Sequence, residues 1–160
     1  MSSIIFLKNI ENYSPEHALE AFKQAATKAG MFCILTRTKS SDGRFVFGEG
    51  TLSEVDEAAF LNTDNKEHLK YFTFNINPVD EDSYDSFTWL TQNEKYFWAI
   101  DIENIKDDYA FIYHFVIAYF RDHPEDYLWF DDADWCYTAK DLIMLSNMPY
   151  NPLWSSEKIV

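Results

Sequence analysis

The chain is predicted to fold as α+β, a mainly antiparallel sheet of five or six strands with two main helices packed on it. Three observations lead there. Residues 14–30 carry the start signal, apolar spacing and stop signal of an amphipathic helix. Two β-rich runs flank Ser40-Ser41-Asp42-Gly43, whose Asp-Gly pair is a hairpin turn signal. A second helical stretch, Tyr109 to Phe120, is apolar almost all round, as suits a helix lying against a sheet. At 160 residues, 47% of them hydrophobic and 18% aromatic, the chain can bury about two-thirds of its unfolded surface around one core. Only 4 Gly and 5 Pro occur, with no linker or repeat, so residues 1–160 are read as one domain.

Ser3 to Lys8 reads as a first strand. Ser14 is placed as an N-cap, Pro15 at the first helical position and Glu16 at the positive end of the dipole. Ala18, Leu19, Phe22, Ala25, Ala26 and Ala29 keep helical spacing up to Gly30, which suits the position after the last turn. Met31 to Thr38 and Arg44 to Thr51 form the hairpin. Ser53 to Asp56 either caps a short helix through Leu61 or belongs to a loop. His68 to Ile76 is a strand ended by Asn77-Pro78. After the polar insert Asp80 to Asp85, Phe87–Thr91 and Tyr96–Ile102 read as two strands joined across Gln92 to Lys95. Asp107-Asp108 opens the apolar helix, which Pro124 ends. Tyr127 to Phe130 is a short strand, Asp131 to Asp134 a turn, and Thr138-Ala139-Lys140-Asp141 a capping box for a last helix through Leu142, Ile143 and Leu145. The tail from Asn147 is expected to pack as extended chain anchored by Trp154.

Charge narrows the range of functions. Residues 80–141 hold 16 acids against 4 bases, whereas residues 1–79 hold 10 against 8. The net charge of the whole chain is −14. Large aromatic residues are interleaved with the acids, which separates this half from a disordered acidic tail and points to a folded acidic surface. Such a surface repels nucleic acid and anionic membranes and speeds encounter with a basic protein. The first residues lack a basic n-region and no apolar run is long enough for a membrane span, so the expectation is a soluble, intracellular protein. Cys33 and Cys136 lie in apolar strand-like runs and are read as buried, reduced thiols.

No motif announces a reaction. The residues lack a nucleophile elbow, a phosphate loop, a dinucleotide fingerprint and an H-E-x-x-H pair. Two cysteines and four scattered histidines give no zinc spacing, and Asp131, Asp132 and Asp134 lack the glycine and glutamate of a calcium loop. No cofactor and no metal are assigned. The remaining constellation is Asp122, Glu125, Asp126, Tyr127, Trp129, Asp131, Asp132, Asp134 and Trp135. Aromatic anchors rimmed by charge are what a tight protein interface uses. In the alternative arrangement the two tryptophans face the core and the acids solubilise.

The run Tyr119-Phe120-Arg121-Asp122-His123-Pro124-Glu125-Asp126-Tyr127-Leu128-Trp129-Phe130, followed by Asp134-Trp135-Cys136-Tyr137-Thr138 and Asp141-Leu142-Ile143, resembles the C-terminal segments of small bacterial immunity proteins. Those proteins neutralise contact-dependent-inhibition and other polymorphic toxins. The resemblance implies a cytoplasmic α+β protein that binds a cognate toxin, basic and in many cases a nuclease, and occludes its active site. It carries no functional residue across by itself. The other reading is a small enzyme or ligand-binding domain with a pocket between the sheet and the aromatic helix.

Overall fold

The computed structural model describes residues 3–79, 87–91, 93–105, 108–131 and 133–160. Its centre is a seven-stranded, wholly antiparallel sheet. The strands are β1 (Ile4–Asn9), β2 (Phe32–Ser41), β3 (Arg44–Ser53), β4 (Tyr71–Ile76), β5 (Tyr96–Glu103), β6 (Tyr127–Phe130) and β7 (Cys136–Thr138). Their spatial order is β2-β3-β4-β5-β1-β6-β7. Among the described residues the helices are α1 (Pro15–Lys28), α2 (Glu57–Leu61), α3 (Tyr109–Arg121) and α4 (Ala139–Ser146).

The α+β class stands, with three corrections to its layout. The sheet has seven strands rather than five or six, and α4 joins α1 and α3 as a third substantial helix. Phe87–Thr91 is a turn rather than a strand. Its Phe, Thr, Trp and Leu carry β propensity, but Phe87 packs against Ile5 and Leu7 instead of pairing its backbone, so side-chain burial overrides the local preference. The extra strand, β7, is three residues long and runs directly into the α4 capping box.

Local chemistry explains the elements. Ser14 caps α1 by accepting from the His17 N–H, and Pro15 stands in the first turn, where no hydrogen bond is lost. The β2–β3 turn holds Asp42 at φ 53° and Gly43 at φ 75°, the left-handed pair whose twist matches the flanking strands. Asp56 caps α2 through the Ala59 N–H at 2.8 Å. Asp108 caps α3, and Thr138 and Asp141 complete a reciprocal box on α4. The segment Pro152–Ser155 makes a 3-10 turn rather than extended chain, yet Trp154 is buried as an anchor against Tyr113 and Phe130.

Helices α1, α3 and α4 cover one face of the sheet. Phe6 of β1 sits beneath Phe22 of α1 at a centroid distance of 5.3 Å and beneath Tyr119 of α3 at 4.8 Å, both edge-on. Phe22 in turn meets Phe74 and Phe115. Each fully buried ring of this kind contributes on the order of 2–3 kcal/mol. These rings fill the middle of the space between α3 and the sheet, and at its margin a depression of about 450 Å³ lies between Tyr109 of α3 and Phe130 and Trp135. Cys136 is buried, Cys33 is half-buried, and both thiols are free.

Candidate binding face

The face turned away from α1, α3 and α4 is organised by register. Directly opposed residues on neighbouring strands share a face. One row therefore crosses the whole sheet: Arg37 faces Glu49, Glu49 faces Asn75, Asn75 faces Asp101, Asp101 faces Ile5, Ile5 faces Trp129, and Trp129 faces Cys136. The adjacent row toward one end is Thr51, Thr73 and Glu103. Toward the other end, Leu7 faces both Trp98 and Tyr127. The sheet face thus has a polar, acidic half on β3–β4–β5 and an apolar, aromatic half on β5–β1–β6.

A bulge makes this pattern possible. The β1 partners step from Ile100 opposite Phe6 to Trp98 opposite Leu7, which leaves Ala99 extra on β5. Ala99 and Ile100 are both buried in the helix-side core. Trp98 and Asp101, three apart, consequently reach the same outer face. There the Trp98 Nε1 donates to Asp101 Oδ2 at 3.1 Å.

Asp101 is 7% exposed. Its Oδ1 accepts from Asn75 Nδ2 at 2.8 Å and its Oδ2 also accepts from Asn77 Nδ2 at 3.1 Å. All three donors are neutral, so the carboxylate is satisfied without being neutralised. Its charge is felt next door. Glu103 is held above the usual carboxylate range by partial burial first, then by Asp101 and Glu49. Arg37 lies at the sheet edge with its Nε 3.9 Å from Glu49 and both side chains largely exposed, a contact of little strength. A shallow depression of about 390 Å³ runs over Thr36, Glu49, Thr51, Thr73, Asn75 and Glu103.

The aromatic half is partly covered. Phe87 stands edge-on to Trp129 at 5.3 Å, Trp98 meets Trp129 at 5.7 Å, and Tyr96 meets Tyr127 at 5.0 Å. Trp98, Tyr127 and Trp129 remain half-exposed, and Trp89 in the covering turn is exposed.

The residues singled out from sequence do not form one patch. Tyr127 and Trp129 lie on this outer face, with Trp129 Nε1 donating to the Ala133 carbonyl at 2.9 Å. Asp122, at the end of α3, pairs with Lys28 of α1, and that hydrogen bond holds its carboxyl below the usual range. Glu125 is exposed at the entry to β6. Asp131 and Asp134 flank the β6–β7 turn at the opposite end, and Trp135 is half-buried against Phe130 and Tyr137. Asp132 and the Asp80 to Asp85 insert, a second acidic patch in the sequence, lie outside the described residues.

Asp126 is the exception among the acids. Its side chain is 1% exposed, and its Oδ2 accepts from Lys8 Nζ at 2.7 Å and from the Tyr119 hydroxyl at 2.7 Å. Lys8 Nζ also lies 3.1 Å from the Tyr119 oxygen. Burial pushes the Asp126 carboxyl up more strongly than Lys8 and Tyr119 pull it down. This carboxylate belongs to the interior, where it ties β1 to the α3–β6 connection.

Sequence reading missed Glu49, Asn75, Trp98, Asp101 and Glu103. A signal was present in β4, where Tyr71-Phe72-Thr73-Phe74-Asn75-Ile76 alternates strictly and sets Thr73 and Asn75 opposite the buried face. Among the described residues, no group of three or more His, Cys, Asp or Glu is placed to hold a metal ion, and no helix is long and apolar enough to cross a membrane. Compared with known proteins, the chain matches no family model, no curated protein and no solved structure.

Proposed function

We propose that this protein acts by binding, as a stoichiometric inhibitor of the immunity-protein kind, and that it meets a basic toxin domain with the outer face of its sheet. One observation carries the reading: the row from Glu49 through Asn75 and Asp101 to Ile5 and Trp129 joins carboxylates to half-exposed rings on a face that, among the described residues, no long helix covers. Asp101 and Glu103 supply charge that steers a basic partner, and Trp98 and Trp129 supply rigid area that slows its departure. Inhibition follows by occlusion, with carboxylates pairing the Lys and Arg that would otherwise hold a substrate's phosphates.

The test is association kinetics with a basic toxin domain encoded beside this chain, measured over a range of salt. Glu49→Lys with Glu103→Lys lowers the association rate and flattens its salt dependence, while Trp98→Ala raises the dissociation rate. Reversal at Asp131 and Asp134 serves as the comparison. If those reversals slow association and the Glu49/Glu103 pair does not, the contact lies at the β6–β7 turn. If no variant alters binding, or no such domain binds, the reading fails.

A further inference from the structure

One stripe of α3 departs from the acidic character of the chain. His114, Ile117, Ala118 and Arg121 recur at helical spacing and so share a side of that helix. The stripe lines a groove of about 570 Å³, bounded by Lys28 and Ala29 at the end of α1 and by Ser146 of α4. A space of that size suits a small ligand. Its base is apolar: Ile117 is buried and Ala118 half-buried, and at one end the buried Tyr113 ring stands edge-on to Tyr150 at 5.1 Å and to Trp154 at 5.0 Å. Charge gathers at the other end. Lys28 pairs there with Asp122, while Arg121 makes no ion pair or hydrogen bond among the described residues. Two cations thus meet one carboxylate, in a chain that holds 27 acids and 13 bases. Both cations stand in the last turns of their helices, where the dipole favours them. That accounts for positive charge at the two helix ends but not for a guanidinium left without a partner beside an apolar groove.

We infer that this groove binds a small organic acid, its carboxylate at Arg121 and Lys28 and its apolar body laid over Ile117 and Ala118 toward Tyr113. From Tyr113 to Arg121 the helix rises about 12 Å, which leaves room for a ring and a short chain below the acidic group. The planar fork of Arg121 suits a carboxylate, because two parallel N–H groups can meet its two oxygens. Asp122 is the competitor: its own carboxylate holds Lys28, and a bound acid must share that ammonium. The end of α1 offers little opposition to an anion, since the Ala25, Ala26 and Thr27 carbonyls already accept from Ala29, Met31 and Gly30. The groove lies among the helices, away from the sheet face proposed for a basic partner, so this inference stands or falls independently of that reading.

The probe is cinnamate titrated into the full chain at low salt, followed by amide NMR shifts. Cinnamamide is its neutral isostere, and inorganic phosphate supplies charge without an apolar body. Saturable shifts with a low-millimolar dissociation constant are expected for cinnamate, confined to the end of α1, to residues 113–122 and to Ser146. Cinnamamide and phosphate should each bind several-fold more weakly. The two exposed neighbours then give opposite signs. Arg121→Gln weakens cinnamate binding by about three- to fivefold and leaves cinnamamide unchanged, whereas Asp122→Asn, which frees Lys28, tightens it by a similar factor. A merely structural role for this pair would not separate the two variants in that way. Equal binding of cinnamate and cinnamamide, equal binding of phosphate at the same amides, shifts on the outer sheet face, or indifference to Arg121→Gln would overturn the inference.

Discussion

Replacing Lys8 by Met gives the most quantitative handle on this structure, because it removes the cation that, among the described residues, bonds the buried Asp126. Breaking a buried pair from one side typically costs about 3–5 kcal/mol. The structure sets its own ceiling on that loss. Instead of staying charged, Asp126 can fold protonated, and protonating a carboxyl with an ordinary pKa of about 3.9 at pH 7 costs about 4 kcal/mol. The same step costs only about 1.5 kcal/mol at pH 5. Burial already raises the Asp126 carboxyl in the native protein, and a carboxyl raised on folding contributes stability that is present at low pH and lost as pH rises through its folded value. Loss of Lys8 raises it further, so the variant suffers most at neutral pH and recovers on acidification. Urea unfolding followed by tryptophan fluorescence should show Lys8→Met destabilised by about 3–4 kcal/mol at pH 7 and by under about 2 kcal/mol at pH 5. A loss below about 1 kcal/mol at pH 7, or one equal at the two pH values, would refute the reasoning.

Other consequences can be checked on the purified chain. Gly50→Ala places a methyl 2.5 Å from the Phe74 ring and 2.6 Å from the Ile34 carbonyl oxygen, so a loss of about 1–3 kcal/mol is expected in the same urea assay. Thr138→Ala removes half of the α4 capping box and should lower stability by about 1 kcal/mol, read as a fall in midpoint with an unchanged slope. Burial pushes the Cys33 thiol up to about 11 and the Cys136 thiol up to about 12. Iodoacetamide at pH 8 should therefore label neither until denaturant is added, and rapid native labelling of Cys136 would show that β7 opens. Because Glu103 is raised by burial and by Asp101 and Glu49, affinity for a basic partner should start to fall on acidification before ordinary surface carboxylates titrate, a trend that binding measured from pH 7 to pH 4 would reveal.

Where a signal was local, the sequence disclosed the structure. The caps at Ser14, Thr138 and Asp141 and the left-handed pair Asp42-Gly43 are decisions taken within four residues, and each lies where its chemistry puts it. The apolar stretch beginning at Tyr109 is the buried helix α3 for the same reason. The outer face was hidden because it is made by register. Glu49, Asn75 and Asp101 stand 26 residues apart at each step along the chain and become neighbours only through strand pairing. The bulge at Ala99 then sets Trp98 and Asp101 on one side, against the simple alternation of a strand. Asp126 was placed on the surface because charge usually means exposure; its partner Lys8 lies 118 residues away and could not be paired with it by spacing.

The earliest strand of this chain occupies an inner position in its sheet. β1 lies between β5 and β6, whose residues begin at Tyr96 and end at Phe130. During synthesis its apolar Ile4-Ile5-Phe6-Leu7 must wait, unpaired, until most of the polypeptide has emerged, while the β2–β3 hairpin can close at once. Pairing of β1 therefore comes later than closure of the β2–β3 hairpin that follows it in the chain. A chain lacking β1 would keep a vacant slot flanked by two strands, so a synthetic peptide of residues 3–9 added in trans is the natural piece to fill it and restore the fold.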